Sequence, residues 1–271
     1  MVAGAALSPR VRSAAAAARR SLFASAAILA AAAPGIAQDR TLSRDFPLQL
    51  DDAFPTATGE AAARASVRAV RPQHGADHAE GPTTLEVSIA PRTQLSVSAQ
   101  WSSEPALTHA GDATIAGRYQ FWVQEDALPN LAAQLAITAP TGVGSRAWTF
   151  EAKGLATRAV DTNLYVHLNA AAVVVDRLEE QARRLRYRLA LGPSWIVPSM
   201  ATVLVAGDVY AEQGIRRDEA TTVGLEIGFR HRIGGGVDWH GAVGTEVAGA
   251  ATRATLTVTT GLSFGFTLLG R

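Results

Sequence analysis

The sequence predicts an all-β chain that crosses a membrane as a transmembrane antiparallel up-and-down β-barrel of about 12 strands. Three observations carry this expectation. Apolar and polar residues alternate with a period of two along most of the chain beyond position 60. The connections between the alternating segments are long and short in turn. Aromatic residues collect toward segment ends, where membrane interfaces lie.

Composition narrows the field first. Of 271 residues 48% are hydrophobic and 18% charged, with a mean hydropathy of +0.09. That is too polar for a helical membrane bundle and too apolar for a disordered chain. The chain has no cysteine, which excludes disulfides, thiolate catalysis and Cys-ligated metals. Its formal charge of +1 comes from Arg10, Arg12, Arg19 and Arg20; without residues 1–37, which hold no acid, the remainder carries −3. A basic nucleic-acid-binding domain is therefore not expected.

Residues 1–37 have the form of a signal peptide. A basic stretch ends at Arg20, an apolar stretch runs from Leu22 to Ala33, Pro34 breaks it, and Gly35-Ile36-Ala37 supplies the small residues of a cleavage site before Gln38. Residues 38–61 follow, with Phe46, Pro47, Phe54 and Pro55. They form either a periplasmic tail or a plug folded back into the lumen, of which the tail is preferred. Residues 62–271 form the barrel.

The strands follow in order. Arg64, Ser66 and Arg68 alternate with Ala63, Ala65 and Val67. Glu86 alternates with Leu85 and Val87, and Ser96 and Ser98 with Leu95 and Val97. The clearest segment is 112–124. Its odd positions are Ala113, Ile115, Gly117, Tyr119, Phe121 and Val123; its even positions include Asp112, Thr114, Arg118, Gln120, Trp122 and Gln124. That length spans a bilayer when tilted. Gln134 then alternates with Leu135, Glu151 and Lys153 with Phe150 and Ala152, and His167 with Val166 and Leu168. Arg184, Arg186 and Arg188 alternate with Leu185, Tyr187 and Leu189, and Asp208 with Val209. Glu226 and Arg230 alternate with Leu225, Ile227 and Phe229. Asp238, His240 and Glu246 lie opposite Val237, Trp239 and Val243, and Thr257 and Thr259 opposite Leu256 and Val258.

With both ends of the barrel in the periplasm, the outward connections are Arg71–Gly81, Ser102–Gly111, Ala139–Ser145, Asp176–Ala182 and Gln213–Asp218, and the short Ala248–Arg253. The inward ones, Pro91–Thr93, Glu125–Pro129, Ala159–Thr162, Pro198–Ala201 and Ile233–Gly236, are all brief. Long outer loops and short periplasmic turns are the outer-membrane barrel layout. Of the aromatic residues in these strands only Tyr119 lies more than about four residues from an end.

Several short motifs occur in order: Asp51-Asp52-Ala53-Phe54-Pro55 before the first strand, Gly111-Asp112 with Arg118-Tyr119, Leu135 to Gly142 with Thr141-Gly142 at its end, His167-Leu168-Asn169, and a Gly- and Phe-rich last strand. Together they resemble the bacterial outer-membrane transporter-like family labelled "MetA-pathway of phenol degradation", over most of 45–266. The resemblance implies a small outer-membrane barrel and uptake of hydrophobic or aromatic compounds. One feature departs from it: Phe264 and Phe266 are followed by Thr267-Leu268-Leu269-Gly270-Arg271, so the chain does not end on the aromatic residue that the outer-membrane assembly machinery reads.

The polar faces should line the lumen. The expected pore-lining residues are Arg64, Arg68, Glu86, Arg118, Glu151, Lys153, His167, Arg184, Arg186, Arg188, Asp208, Glu226, Arg230, Asp238, His240 and Glu246. Opposite charges in a narrow lumen pair, because isolated buried charge is costly. The Arg184/Arg186/Arg188 ladder is the candidate for an anion-attracting stripe. No catalytic residue is expected: His167 and His240 face inward without a nucleophile motif, and Gly142-Val143-Gly144-Ser145 reads as a flexible loop. His74, Asp77, His78 and Glu80 read as an exposed polar loop rather than a metal site, and no phosphate-binding or dinucleotide fingerprint is present. No cofactor is expected. The expected partners are outer-membrane lipid, the assembly machinery and a small solute. Two functions remain open: a channel or transporter for small solutes, and a structural or interaction barrel with a closed, salt-bridged lumen.

A first outcome is expected in the cell. The protein should fractionate with bacterial outer-membrane markers and migrate differently on detergent gels before and after heating. Recovery as a soluble periplasmic protein contradicts the barrel.

Overall fold

In the computed structural model, which describes residues 48–268 except 74–75, 105–106, 126, 144, 177–180 and 250–253, the chain forms one closed antiparallel sheet. The strands are β1 (Glu60–Pro72), β2 (His78–Ala90), β3 (Thr93–Glu104), β4 (Leu107–Trp122), β5 (Asn130–Ala139), β6 (Thr149–Ala159), β7 (Leu164–Val175), β8 (Leu185–Ile196), β9 (Val203–Glu212), β10 (Thr222–Gly234), β11 (Val237–Ala248) and β12 (Ala254–Thr267). Each pairs with its neighbours in sequence, and β12 closes on β1 with Arg64 opposite Ser263. Closure leaves no open edge, so every strand finds ladder partners on both sides, as a span through hydrocarbon requires. The expected leader, 1–37, lies outside the described residues.

The period-two pattern becomes two environments. Leu85, Val97, Ile115, Leu135, Leu189, Ile227 and Val258 are exposed on the outside, while Glu86, Ser96, Arg118, Gln134, Glu226 and Thr257 are buried within. In water such an outer surface would be an oversized apolar patch; in a bilayer it is the lipid-facing belt. No helix among the described residues is long and apolar enough to cross a membrane, and the crossing is made by strands.

One end of the barrel, here the turn end, carries the chain's approach to β1 and the short connections. Pro91-Arg92 makes one of the two-residue connections, with Arg92 at φ 62°, a left-handed conformation uncommon for a residue with a side chain. Gly235 and Gly236, at φ 60° and 78°, supply the positive φ values that a two-residue hairpin asks for. At the opposite, loop end the strands run further than the alternation suggests. β2 begins at His78 and β4 at Leu107, so much of the expected loops 71–81 and 102–111 is strand. Beyond the lipid belt the outward face has no need to be apolar. The ladder continues there without an alternation to betray it.

Local irregularities adjust the wall. The register slips between Gln120 and Trp122, and Phe121 and Trp122 are both exposed. This corrects the strict alternation, which put Trp122 on the lumen face. The bulge turns its ring outward to the interface. Two Gly-Pro pairs interrupt ladders. Around Gly81-Pro82 the β1–β2 pairing skips from Ala65–Thr83 to Arg68–Glu80. At Gly192-Pro193 the β8–β9 pairing skips from Leu191–Val209 to Ser194–Ala206. Proline brings no N–H to a ladder, and at Gly192 a side chain would run into the Gly207 backbone.

The outward face should respond to charge according to depth. Ile227 lies outward about halfway along β10. Ile227→Arg is expected to cost about 2–4 kcal/mol of stability in lipid vesicles, against about 0–1 kcal/mol for Val223→Arg on the same face near the strand's end. Urea unfolding measures both; equal costs contradict the belt.

Candidate functional site

The lumen is occupied by the chain itself. Leu48, Leu50, Asp51, Asp52 and Ala53 are buried inside the barrel, and residues 54–59 lead from them to β1 at the turn end. Of the two alternatives for 38–61, the described part follows the fold-back into the lumen rather than the preferred external tail. An irregular segment is tolerated at membrane depth when the surrounding wall satisfies its backbone.

The wall does so residue by residue. Gln49 N–H donates to Glu226 Oε2 (3.0 Å) on β10. Ala53 N–H donates to Thr157 Oγ1 (2.9 Å) on β6, and Thr56 N–H to Gln94 Oε1 (3.0 Å) on β3. Arg118 Nη1 donates to the Asp52 carbonyl (3.3 Å). Phe54 meets Tyr165 of β7 edge to face, with ring centroids 6.4 Å apart.

Charge fixes the position of the segment. Lys153 Nζ lies 2.7 Å from Asp51 Oδ2, Arg118 Nη2 lies 3.3 Å from Asp51 Oδ1, and Arg118 Nη1 lies 3.7 Å from Asp52 Oδ1. Arg118 is also held by Gln134 Oε1, at 3.2 Å from Nε and 3.1 Å from Nη2. Two acids of the segment thus meet two bases of β4 and β6 where water is scarce. Each charge there depends on the others to offset its desolvation.

Opposite this latch the wall is mixed, with Glu226 holding the Gln49 N–H, Asp208 beside it on β9, and an apolar patch next to them. Leu48 and Leu50 pack with Ala190, Leu204, Ala206, Tyr210 and Ala242 from β8, β9 and β11. A Cβ at Gly228 would sit 3.4 Å from Leu48 Cδ2. Small residues at inward positions of this wall therefore make the room that the two leucines fill. Ala53 adds a second contact with Ala132 and Leu155.

The remaining expected lumen residues mostly pair. Arg64 meets Glu86 at 2.5 Å, Arg68 meets Glu226 at 3.5 Å, and Arg188 meets Glu151 at 2.9 Å. Arg186 lies 3.8 Å from Glu212, whereas Arg184 stands just before β8 and is exposed. The arginine ladder is thus not a continuous bare stripe: two of its members face carboxylates. Asp238 holds Arg232, with Nε to Oδ1 at 3.0 Å, and Arg230 is buried beside them. Asp208 and Glu226 are opposite each other on β9 and β10. Glu246 accepts from Tyr210 Oη (3.5 Å) and from Ala254 N–H (2.6 Å). His240 packs against Gly261, where a side chain would strike its imidazole.

His167 is the centre of a buried chain. Its Nδ1 lies 3.0 Å from Thr157 Oγ1 and its Nε2 2.8 Å from Ser194 Oγ. Thr157 Oγ1 also accepts from Ala53 N–H, so the imidazole links the segment's anchor on β6 to Ser194 on β8. Among the described residues no group of three or more His, Asp or Glu is arranged to hold a metal. Of the polar loop His74, Asp77, His78 and Glu80, His74 lies outside the described residues, and Asp77 is exposed, 3.5 Å from Arg71. The loop at 142–145 is fastened: Asp112 accepts from Gly142 N–H (2.9 Å) and from Ser145 Oγ (2.8 Å); Gly144 lies outside the described residues.

A closed barrel of 12 strands with an apolar outer belt and a polar, occupied lumen defines the class: a bacterial outer-membrane β-barrel. The chain is similar to the COG4313 outer membrane channel from Pseudomonas putida F1, with a TM-score of 0.66 and 14% identity, covering 79% of this chain and 98% of that one. It is also similar to the KdgM porin (TM-score 0.55, 9% identity, 76% and 98% covered) and to the NanC porin (0.55, 8%, 75% and 98%). At these identities the likeness is one of fold. No family model and no curated protein matches the chain, so the phenol-degradation label gains no support from them.

The latch should be costly to break and the surface pairs should not. Lys153→Met, which removes the 2.7 Å partner of Asp51, is expected to destabilise the folded barrel by about 3–5 kcal/mol. Arg71→Ala, in an exposed pair, should change it by less than about 1 kcal/mol. Denaturant unfolding in detergent measures both, and comparable effects contradict the latch.

Proposed function

We propose that the protein is an outer-membrane channel for small solutes whose lumen is closed by its own N-terminal segment and opens when that segment leaves. The observation that carries this reading is the two-sided seat of residues 48–56, a charged latch on one wall and an apolar pocket on the other. A purely structural barrel has no need to spend its lumen on a separate segment; side chains filling it would serve. The segment enters from the turn end and makes side-chain and backbone contacts but no strand ladder with the wall. It is therefore the part of the lumen that can move while the barrel stays intact.

The solute class follows from what the segment covers. Withdrawal bares Arg118 and Lys153 on one side and, on the other, Leu204, Ala206 and Ala242 together with the acids Asp208 and Glu226. Such a path suits small molecules with an apolar body, in line with the hydrophobic or aromatic compounds that the motif resemblance implies. The alternative, a closed structural or interaction barrel, keeps the same contacts and never opens.

Planar-bilayer recording separates the two. Wild type is expected to be mostly closed with brief openings, and Asp51→Asn/Asp52→Asn to raise the open fraction at unchanged strand content. If neither protein conducts, the barrel is closed and the channel reading fails. If both conduct alike, the segment is not the gate.

A further inference from the structure

We propose that Arg118 and Lys153 form a binding site for the carboxylate of a small solute, a site that Asp51 fills in the closed barrel and that a solute takes over by displacing the segment. The proposal rests on the channel reading for its biological role, but the exchange of one carboxylate for another can be measured without any conductance.

The segment itself shows what the site accepts. Asp51 presents one oxygen to each base, Oδ2 at 2.7 Å from Lys153 Nζ and Oδ1 at 3.3 Å from Arg118 Nη2. Guanidinium and ammonium groups are the side chains with which proteins hold carboxylates, and charge-assisted contacts are the strong ones. The register builds the site into the wall: Arg118 lies opposite Gln134, and Gln134 opposite Lys153, in one row across β4, β5 and β6. Gln134 Oε1 accepts from both Nε and Nη2 of the buried Arg118, which keeps the guanidinium aimed into the lumen with or without the segment. The carboxylates that Arg118 meets among the described residues, Asp51 and Asp52, both belong to the segment.

The next row along is apolar. Ala132 lies opposite Leu155, and both are buried against Ala53 of the segment. Two bases and an aliphatic patch thus stand side by side, and the ligand class that fits is a small monocarboxylate with a compact apolar body. Acids are also present: Glu151 lies 3.9 Å from Lys153 and 2.9 Å from Arg188, and Asp208 and Glu226 line the facing wall. The site is therefore defined by this local row and not by the charge of the lumen as a whole. An alcohol of the same shape gains only the aliphatic patch, and an ammonium meets two like charges. The segment is tethered, so a free ligand competes with an effective concentration of about the millimolar range and must be supplied at that level.

The test uses the full chain refolded in detergent. The chain has no cysteine, so Leu50→Cys supplies a single thiol, at a position buried while the segment is seated and on the far side from the two bases. Maleimide labelling then reports withdrawal. Sodium benzoate should speed labelling saturably, by roughly tenfold at full effect, the scale of a charge-assisted contact. Benzyl alcohol, benzylammonium chloride and sodium chloride at matched concentration should leave the rate unchanged. Arg118→Gln should raise the rate without ligand and remove the response to benzoate. A mobility shift on unheated gels verifies that each variant is a barrel; should Arg118→Gln not fold, the contrast among the four salts and solutes decides, repeated with the thiol moved to Leu48→Cys. No acceleration by benzoate, equal acceleration by benzyl alcohol or sodium chloride, or an undiminished benzoate response in Arg118→Gln overturns the site. Conductance is scored separately. Acceleration without conductance keeps the site and rejects the channel, whereas conductance without acceleration does the reverse.

Discussion

Burial of charge in a narrow closed sheet is the constraint on which the rest of this structure depends. The outer face must be apolar to meet lipid, so the polar residues of every strand turn inward together. A lumen enclosed by 12 strands is too small to hydrate them all freely, and each ion must find a counter-ion. Arg64 with Glu86 and Arg188 with Glu151 do this across or between strands. Arg118 and Lys153 do it with Asp51 and Asp52, which belong to no strand. On the wall Lys153 reaches Glu151 only at 3.9 Å, and Glu151 also holds Arg188, so the segment before β1 adds the closer partner. A buried pair adds little net stability compared with apolar packing, yet breaking one is expensive. Such pairs therefore fix where the segment sits more than how strongly the barrel holds.

The apolar half of the seat acts differently. Leu48 and Leu50 remove their own surface from water and fill space left by Ala190, Ala206, Ala242 and Gly228. That contribution is non-directional and scales with area. The two halves divide the work: the leucines favour any inserted state, and the aspartates select one register among them. Neither half is screened much by salt, since both are enclosed.

Much of this was legible in the sequence. Strand number, pairing order, facing and the short connections follow from the alternation, because one inward and one outward environment per strand leave no other pattern. Trp122 escaped because a bulge changes parity without a sequence mark. The seat escaped for another reason. Inward positions 190, 192, 204, 206, 228, 242 and 244 are Ala, Leu or Gly rather than polar, a departure from the lumen pattern clustered on β8 to β11. That cluster signals an apolar occupant, and Leu48 and Leu50 beside Asp51-Asp52 are the matching stretch. The motif at 51–55 was visible as a sequence of residues. Its partners were not, since Arg118 and Lys153 lie 66 and 102 positions away and only closure of the barrel brings them to it.

The division of the seat also constrains what an emptied lumen could be. If the segment withdraws, the apolar side is left as a shallow wet hollow, at a cost proportional to its area. The charged side is left with Arg118 and Lys153 facing water or another anion, while Gln134 remains bound to Arg118 on the wall. The wall of β4 to β6 then keeps Glu151 beside these bases, 3.9 Å from Lys153 and 2.9 Å from Arg188. The pairs of Arg186 and Arg188 are untouched by such a withdrawal, since Glu212 and Glu151 belong to the wall. On the proposed reading, withdrawal therefore changes the surroundings of a few groups, Arg118 and Lys153 on one wall and Asp208 and Glu226 on the other, and leaves other ion pairs of the wall as they are.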